Sequence, residues 1–297
     1  MRVIPSNLHS CHGVIQGFRS HIPTDLSIPF ADVIFPEEMV SCVVGREVKF
    51  LLAVDKGGAA GCCIMASSTE PMRTEIFFAH ALKDELDVMR ILLGTVLSFL
   101  SSRRAPDVEA KYVENMHSPK LREILNYNGF TEVQKVRMLL RTQEINKVSQ
   151  PTFNRLRVRS TDSLLMWRSV FVAAATGQSI EQSRKQVYSE TPSGTIQEDE
   201  MTRLIGYAGG LPVGTIGYSS CMTFGYLDKL SAQANLPNKI AMMGKLLEDA
   251  IARLVKKRCK YAVFDVLEDD VSIDTLTEIG FHPVGKVSHF SKTVTTR

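Results

Sequence analysis

No apolar stretch of this 297-residue sequence is long enough to cross a bilayer; even Ile91 to Leu100 is broken by Gly94, Thr95 and Ser98. The N-terminus, MRVIPSNLHSCHG, lacks an apolar core of signal-peptide length. Both absences give the expectation of a cytoplasmic protein with no membrane partner. Cysteine is scarce. The six present (Cys11, Cys42, Cys62, Cys63, Cys221, Cys259) show no C-x-x-C or His-rich spacing, so no zinc or redox motif is expected. Reduced, mostly buried thiols fit such a protein, and adjacent Cys62 and Cys63 on a predicted strand point to opposite faces. His80, His117, His282 and His289 stand apart, with no metal spacing, and no metal is expected. Walker loop, nucleophile elbow and nucleic-acid signatures are also missing. A net charge of +3 calls for no nucleic acid and suits an anionic small ligand equally well.

What is present is ordinary globular material, 44% hydrophobic and 23% charged, in a length sufficient for two domains. The chain also repeats itself. Met72 to Leu97 (MRTEIFFAHALKDELDVMRILLGTVL) and Met222 to Leu247 (MTFGYLDKLSAQANLPNKIAMMGKLL) share a layout 150 positions apart. Each opens on Met, with Gly94 or Gly244 lying 22 residues on; Gly129-Phe130 and Gly280-Phe281 follow 35 and 36 residues later.

Up to about residue 45, Pro5, Pro23, Pro29 and Pro36 break scattered helix-compatible segments. Then come a strand at Val48 to Val54, a turn at Asp55-Lys56-Gly57-Gly58, and strands at Ala60 to Ala66 and Thr74 to Ala81. Leu86 to Leu100 has helical apolar spacing, with Arg103-Arg104 near its end. Val108 to Val113 reads as a strand, Ser118-Pro119 starts a helix that stops at Gly129, and Thr131 to Leu140 is a strand. The polar stretch Arg141 to Phe153 is the expected linker. The second half begins with a strand at Leu156 to Arg159 and helices at Ser163 to Ala175 and Ser179 to Glu190, before a turn at Pro192-Ser193-Gly194. A hairpin around Gly209-Gly210 follows, then strand Met222 to Leu230, helix Ile240 to Lys256, strand Tyr261 to Leu267, helix Ser272 to Ile279 and strand His282 to His289. This order predicts an α+β class with a mixed, mostly antiparallel sheet flanked by helices, in each of two tandem domains at 1–145 and 146–297.

With the glycines in register, this order resembles the GCN5-related N-acetyltransferase family in tandem. That family carries a Gln/Arg-x-x-Gly-x-Gly/Ala loop after its fourth strand, whose amides and following helix N-terminus hold the pyrophosphate of acetyl-CoA. The resemblance places this loop at Lys239-Ile240-Ala241-Met242-Met243-Gly244, with Met242 where the middle glycine is expected, and with Leu236-Pro237 just before it. It therefore implies acetyl-CoA or another acyl-CoA as co-substrate, held by Ala234, Leu236, Lys239, Ile240, Ala241, Met242, Met243, Gly244 and Lys245. In the first half the matching stretch is Met89 to Gly94. It lacks the basic residue and middle glycine, and Asp84, Glu85 and Asp87 crowd its approach. Carboxylates repel phosphate, so the N-terminal copy reads as degenerate and structural.

The resemblance further implies transfer of an acyl group to a primary amine of a small molecule or peptide. Members often use a strand carboxylate as base and a Tyr on the last helix as acid. Asp228 is the best placed carboxylate, with Tyr226 on the same strand face and Glu268, like Asp265, on or beyond the next strand. Each also has a plain reading, as a solvated carboxylate or a packed aromatic. The Tyr positions hold Leu125 and Leu276, so neither copy carries the usual acid. The rival expectation is a non-catalytic CoA sensor or protein scaffold, and some tandem relatives of this fold transfer aminoacyl groups. A monomer or homodimer is expected.

Overall fold

The structure, a computed structural model, describes residues 1–35, 40, 46–69, 72–82, 85–102, 107–144, 156–190, 201–234, 236, 239–268, 270 and 272–294. Contacts divide the chain into two units, Met1–Lys135 with Lys286–Arg297, and Val136–Gly285.

Unit 1 contains β1 (Arg2–Ser6), α1 (Leu8–Arg19), α2 (Ala31–Ile34), β2 (Glu47–Asp55), β3 (Gly58–Thr69), β4 (Met72–Ala81), α3 (Glu85–Ser102), β5 (Asp107–Val113), α4 (Pro119–Tyr127) and most of β12 (His282–Thr293). Its sheet runs β1-β2-β3-β4-β5-β12, antiparallel except for the parallel β4–β5 pair. Local chemistry explains the elements. The Asn7 side chain caps α1 by accepting the Ser10 N–H at 2.9 Å. Cys11, Val14, Ile15 and Phe18 then recur at helical spacing and are all buried. Asp55 Oδ1 accepts the Gly57 N–H at 2.7 Å in the β2–β3 turn, where Gly58 takes φ 109. Pro5, read as a breaker, instead sits in β1, an edge strand, where a missing N–H does little harm.

Unit 2 contains β6 (Thr131–Arg141) beyond Lys135, β7 (Leu156–Thr161), α5 (Leu164–Thr176), α6 (Ile180–Glu190), β8 (Thr202–Ala208), β9 (Leu211–Cys221), β10 (Phe224–Ala232), α7 (Lys239–Lys256), β11 (Tyr261–Val266) and α8 (Ser272–Ile279). The order is β6-β11-β10-β9-β8-β7, and only β10–β11 is parallel. Ser163 caps α5 by accepting the Met166 N–H at 3.2 Å, and Gly177 closes it at φ 73.

The units depart from the sequence halves. The last strand of each half is traded: β12 closes unit 1 beside β5, from Val287↔Val113 to Thr293↔Asp107. β6 closes unit 2 beside β11, from Tyr261↔Arg141 to Val266↔Val136. A boundary at residue 145 would keep each strand with its own half; the contacts move both. The predicted linker begins as strand and a turn at Thr142–Glu144, and its remainder lies outside the described residues, as do Pro36, Asp84, Arg103-Arg104, Pro192-Ser193-Gly194 and Pro237. Cys62 and Cys63 do face opposite sides, in separate apolar clusters. Cys11, Cys62, Cys63 and Cys259 are free and buried, whereas Cys221 is disulfide-bonded, contrary to the expectation of reduced thiols.

Candidate functional site

In unit 2 the parallel strands part. β10 and β11 pair from Phe224↔Tyr261 only as far as Leu227↔Phe264. Beyond that, β10 stays with β9 through a bulge between Asp228 and Ser231, with Lys229 held at φ 54. β11 follows β6 to Val266. A bulge of this kind re-aims a strand and ends its pairing. The chain leaving β10 leads directly into α7. Gln233 N–H donates to Val213 O at 2.9 Å, Leu236 N–H to Gln233 O at 3.1 Å and Lys239 N–H to Leu236 O at 3.2 Å, pinning the entry to the helix. The first turn of α7 has no acidic residue. That turn therefore brings no carboxylate of its own to the positive end of the helix dipole, where an anion is favoured.

Met242 is fully buried. A Cβ added at Gly214 would meet its Cγ at 3.3 Å, and one at Gly206 would run into its sulfur. The side chain therefore lies over two strand glycines, on β8 and β9, and points away from the helix mouth. Met243 and Gly244 are buried as well, Ala241 is half-buried and Ile240 is 61% exposed. Ala234 is exposed in the preceding turn, and Leu236 packs on the core. Lys245 turns down the helix towards Glu248 (3.9 Å) and Asp249 (3.7 Å), while Lys239 stands at the first turn.

Asp228 is the first residue past the last β10–β11 pair, and its side chain is 48% exposed, with Lys229 Nζ 4.0 Å away. Lys229 Nζ also lies 5.6 Å from the ring centre of buried Trp167. Tyr226 shares the Asp228 face and packs against Phe224, ring centres 6.4 Å apart. Glu268 is exposed beyond the end of β11. Asp265, at the corresponding position on β11, is already engaged: Arg137 grips it through Nε–Oδ1 (2.7 Å) and Nη2–Oδ2 (2.9 Å). Arg137 is fully buried and comes from β6, the traded strand. No sequence signal near position 137 announces this role. Leu276, at the position where a Tyr is usual, is completely buried. Among the described residues no group of His, Cys, Asp and Glu could hold a metal ion.

Unit 1 repeats the device but fills it. β4 and β5 pair from Arg73↔Asp107 to Ile76↔Ala110, and Phe77 is the bulged residue, since Met65 faces Ile76 and Ile64 faces Phe78. Phe18 from α1 stacks on His117 (5.5 Å between centres) and meets Phe78 (5.1 Å) and His80 (5.0 Å); Tyr112 lies 5.7 Å from His117. The cavity that remains, lined by Ile76, Leu93, Lys111, His117 and Leu125 among others, has room for about one water. Val113 N–H donates to His117 Nδ1 at 2.9 Å, so the neutral ring carries its proton on Nε2. Burial pushes His117 down to about 4, helped by His80 and opposed by Asp32. Burial also lowers His80. Asp32 is itself buried and held by Lys111 at 3.1 Å. The first turn of α3 carries Glu85 and Asp87, the reverse of the first turn of α7.

No protein-family model and no curated protein matches this sequence. Solved structures do match its fold. A GCN5-related N-acetyltransferase from Kribbella flavida superimposes with a TM-score of 0.60 at 14% identity, covering 89% of this chain and 96% of its own. A tandem GNAT protein from the clavulanic acid biosynthesis pathway gives 0.58 at 10% identity over 100% and 99%. A GCN5-related N-acetyltransferase from Sphaerobacter thermophilus gives 0.58 at 13% identity over 99% and 95%. The chain therefore has the fold of the GCN5-related N-acetyltransferases, written twice as in a tandem member.

Proposed function

We propose that unit 2 is an acyl-CoA-dependent N-acyltransferase for a primary amine of a small molecule or peptide, and that unit 1 is a structural partner without a ligand of its own. The observation that supports this best is the contrast between the two strand gaps, one filled by an aromatic and imidazole cluster, the other led by a carboxylate-free helix start. The first-turn amides of α7 and Lys239 would hold the pyrophosphate. The buried packing of Met242 supports this reading, because its side chain lies over Gly206 and Gly214 on the sheet side of α7. Bound there, acyl-CoA would supply the activated acyl group. Asp228, half-exposed at the gap, takes the proton of the incoming ammonium directly or through water. Tyr226 lines the same face, and Glu268 stands at the rim. The structural neighbours from Kribbella flavida and Sphaerobacter thermophilus are named as N-acetyltransferases, in keeping with this reading.

A second reading, a CoA-binding sensor or scaffold without turnover, draws on Leu276: a buried leucine donates no proton to a leaving thiolate. Thiol release measured over a panel of amines, beside calorimetric titration of acetyl-CoA, separates the two. Binding with release supports the transferase and binding without release supports the sensor. Absence of binding removes both.

A further inference from the structure

The end of unit 2 opposite the strand gap carries a feature that acyl transfer does not use. Five of the eight residues from 253 to 260 are cations: Arg253, Lys256, Lys257, Arg258 and Lys260. Arg253 is half-buried and the other four are exposed, while Leu254 and Cys259 between them are buried. Hydrogen bonds join this segment to its neighbours. Lys260 and Tyr261 N–H both donate to Thr223 O (2.7 and 3.1 Å), which sets the β9–β10 turn beside it. Met222 in that turn is 56% exposed, and Val255 on the last turn of α7 is 46% exposed. The nearby carboxylate Glu144 is paired with Arg141 at 3.5 Å.

Two of these residues are held in a backbone conformation that favours glycine. Arg258 closes α7 at φ 65, with its N–H on Val255 O at 2.8 Å, and Met222 turns at φ 52. A helix C-terminus attracts cations without help, but the dipole does not explain why a strained closing position holds Arg rather than Gly. Nor does it explain a strained turn that displays a thioether. Strain at exposed side chains points to a use for those side chains.

We propose that this basic rim, with exposed Met222 and Val255 beside its cations, docks reversibly on an anionic lipid surface. Cations among exposed apolar side chains match phosphate headgroups above an apolar layer. A nucleic acid would use the cations but not Met222 or Val255. The rim lies at the first β10–β11 pair, Phe224↔Tyr261, and the gap opens past the last, so docking leaves the gap facing water. The apolar runs are too short for a spanning helix, and a peripheral contact needs none; the inference stands whether or not unit 2 transfers acyl groups.

Co-sedimentation of the full chain with mixed phosphatidylcholine–phosphatidylserine vesicles, and with phosphatidylcholine alone, tests it. Binding to the mixed vesicles only, reversed by salt, is expected, weakening about fivefold for each cation removed. Arg258→Gly is the sharpest variant, because it relieves the strained φ: it should weaken vesicle binding while leaving the melting temperature unchanged or raised. Absence of binding to the mixed vesicles overturns the proposal, as does binding indifferent to Lys256→Glu and Arg258→Gly. Retention of duplex RNA or polyglutamate without vesicle binding would also overturn it.

Discussion

The two units bend the same strand at the same place and then treat the opening in opposite ways. In unit 1 the bulge at Phe77 opens a gap that Phe18, Phe78, His80, His117 and Tyr112 close from within, below a helix whose first turn carries Glu85 and Asp87. In unit 2 the bulge past Asp228 opens beside a helix whose first turn has no acid, with Lys239 at its start. A duplicated fold thus fixes the opening, and the side chains that arrive from other elements decide how it is lined. The traded strands bear on the same point, since Arg137 reaches the mouth of unit 2 from the first half of the sequence.

The largest way to disturb this contrast is through that arginine. Arg137→Leu takes from Asp265 the arginine that grips it at the gap, and removing one member of a buried pair costs about 3–5 kcal/mol. Chemical denaturation should show unit 2 weakened by that order, with Arg137→Leu/Asp265→Leu recovering most of the loss. Equal damage from the single and double variants would mean the pair is not what holds the mouth. Next in size is the proposed base: Asp228→Asn should lower kcat about a hundredfold with acyl-CoA affinity unchanged, as followed by thiol release. A full rate in Asp228→Asn would move the base elsewhere.

The filled gap of unit 1 has a pH signature of its own. His117 is held near 4 in the folded protein, below the roughly 6.5 of an unfolded chain. A depressed histidine gives its stability in full above the unfolded value, and loses it as pH falls from about 6.5 towards 4. Up to about 3 kcal/mol is at stake. Hydrogen exchange in unit 1 should quicken across that window, and the quickening should shrink in His117→Phe, which keeps the stacking on Phe18. Exchange that stays flat with pH would show that the cluster is not closed to water. The smallest effect is steric. Gly206→Ala crowds the flexible thioether of Met242 and should lower the stability of unit 2 by about 1 kcal/mol, as read from the midpoint of urea unfolding.

Most of this architecture was legible because it is periodic. Alternation and helical spacing mark strand and helix locally, and β10, α7 and β11 lie close to where those patterns place them. Strand β1 was not legible, since Pro5 reads as a breaker until an edge position makes it harmless. The exchange of β6 and β12 was not legible either, because a strand's own sequence sets its pleat and not its neighbour. The same limit hid the site's finer points. Met242 looks like a damaged motif until Gly206 and Gly214, some thirty residues away, are seen beneath it. The cluster of Phe18, His80 and His117 joins residues that no short motif connects.

Calorimetric titration of acetyl-CoA into the intact chain tests the contrast most directly, repeated with Lys239→Glu in unit 2 and Asp87→Asn in unit 1. One site per chain, lost with Lys239→Glu and unchanged with Asp87→Asn, is the predicted result. Two sites, no site, or one that survives Lys239→Glu would contradict it.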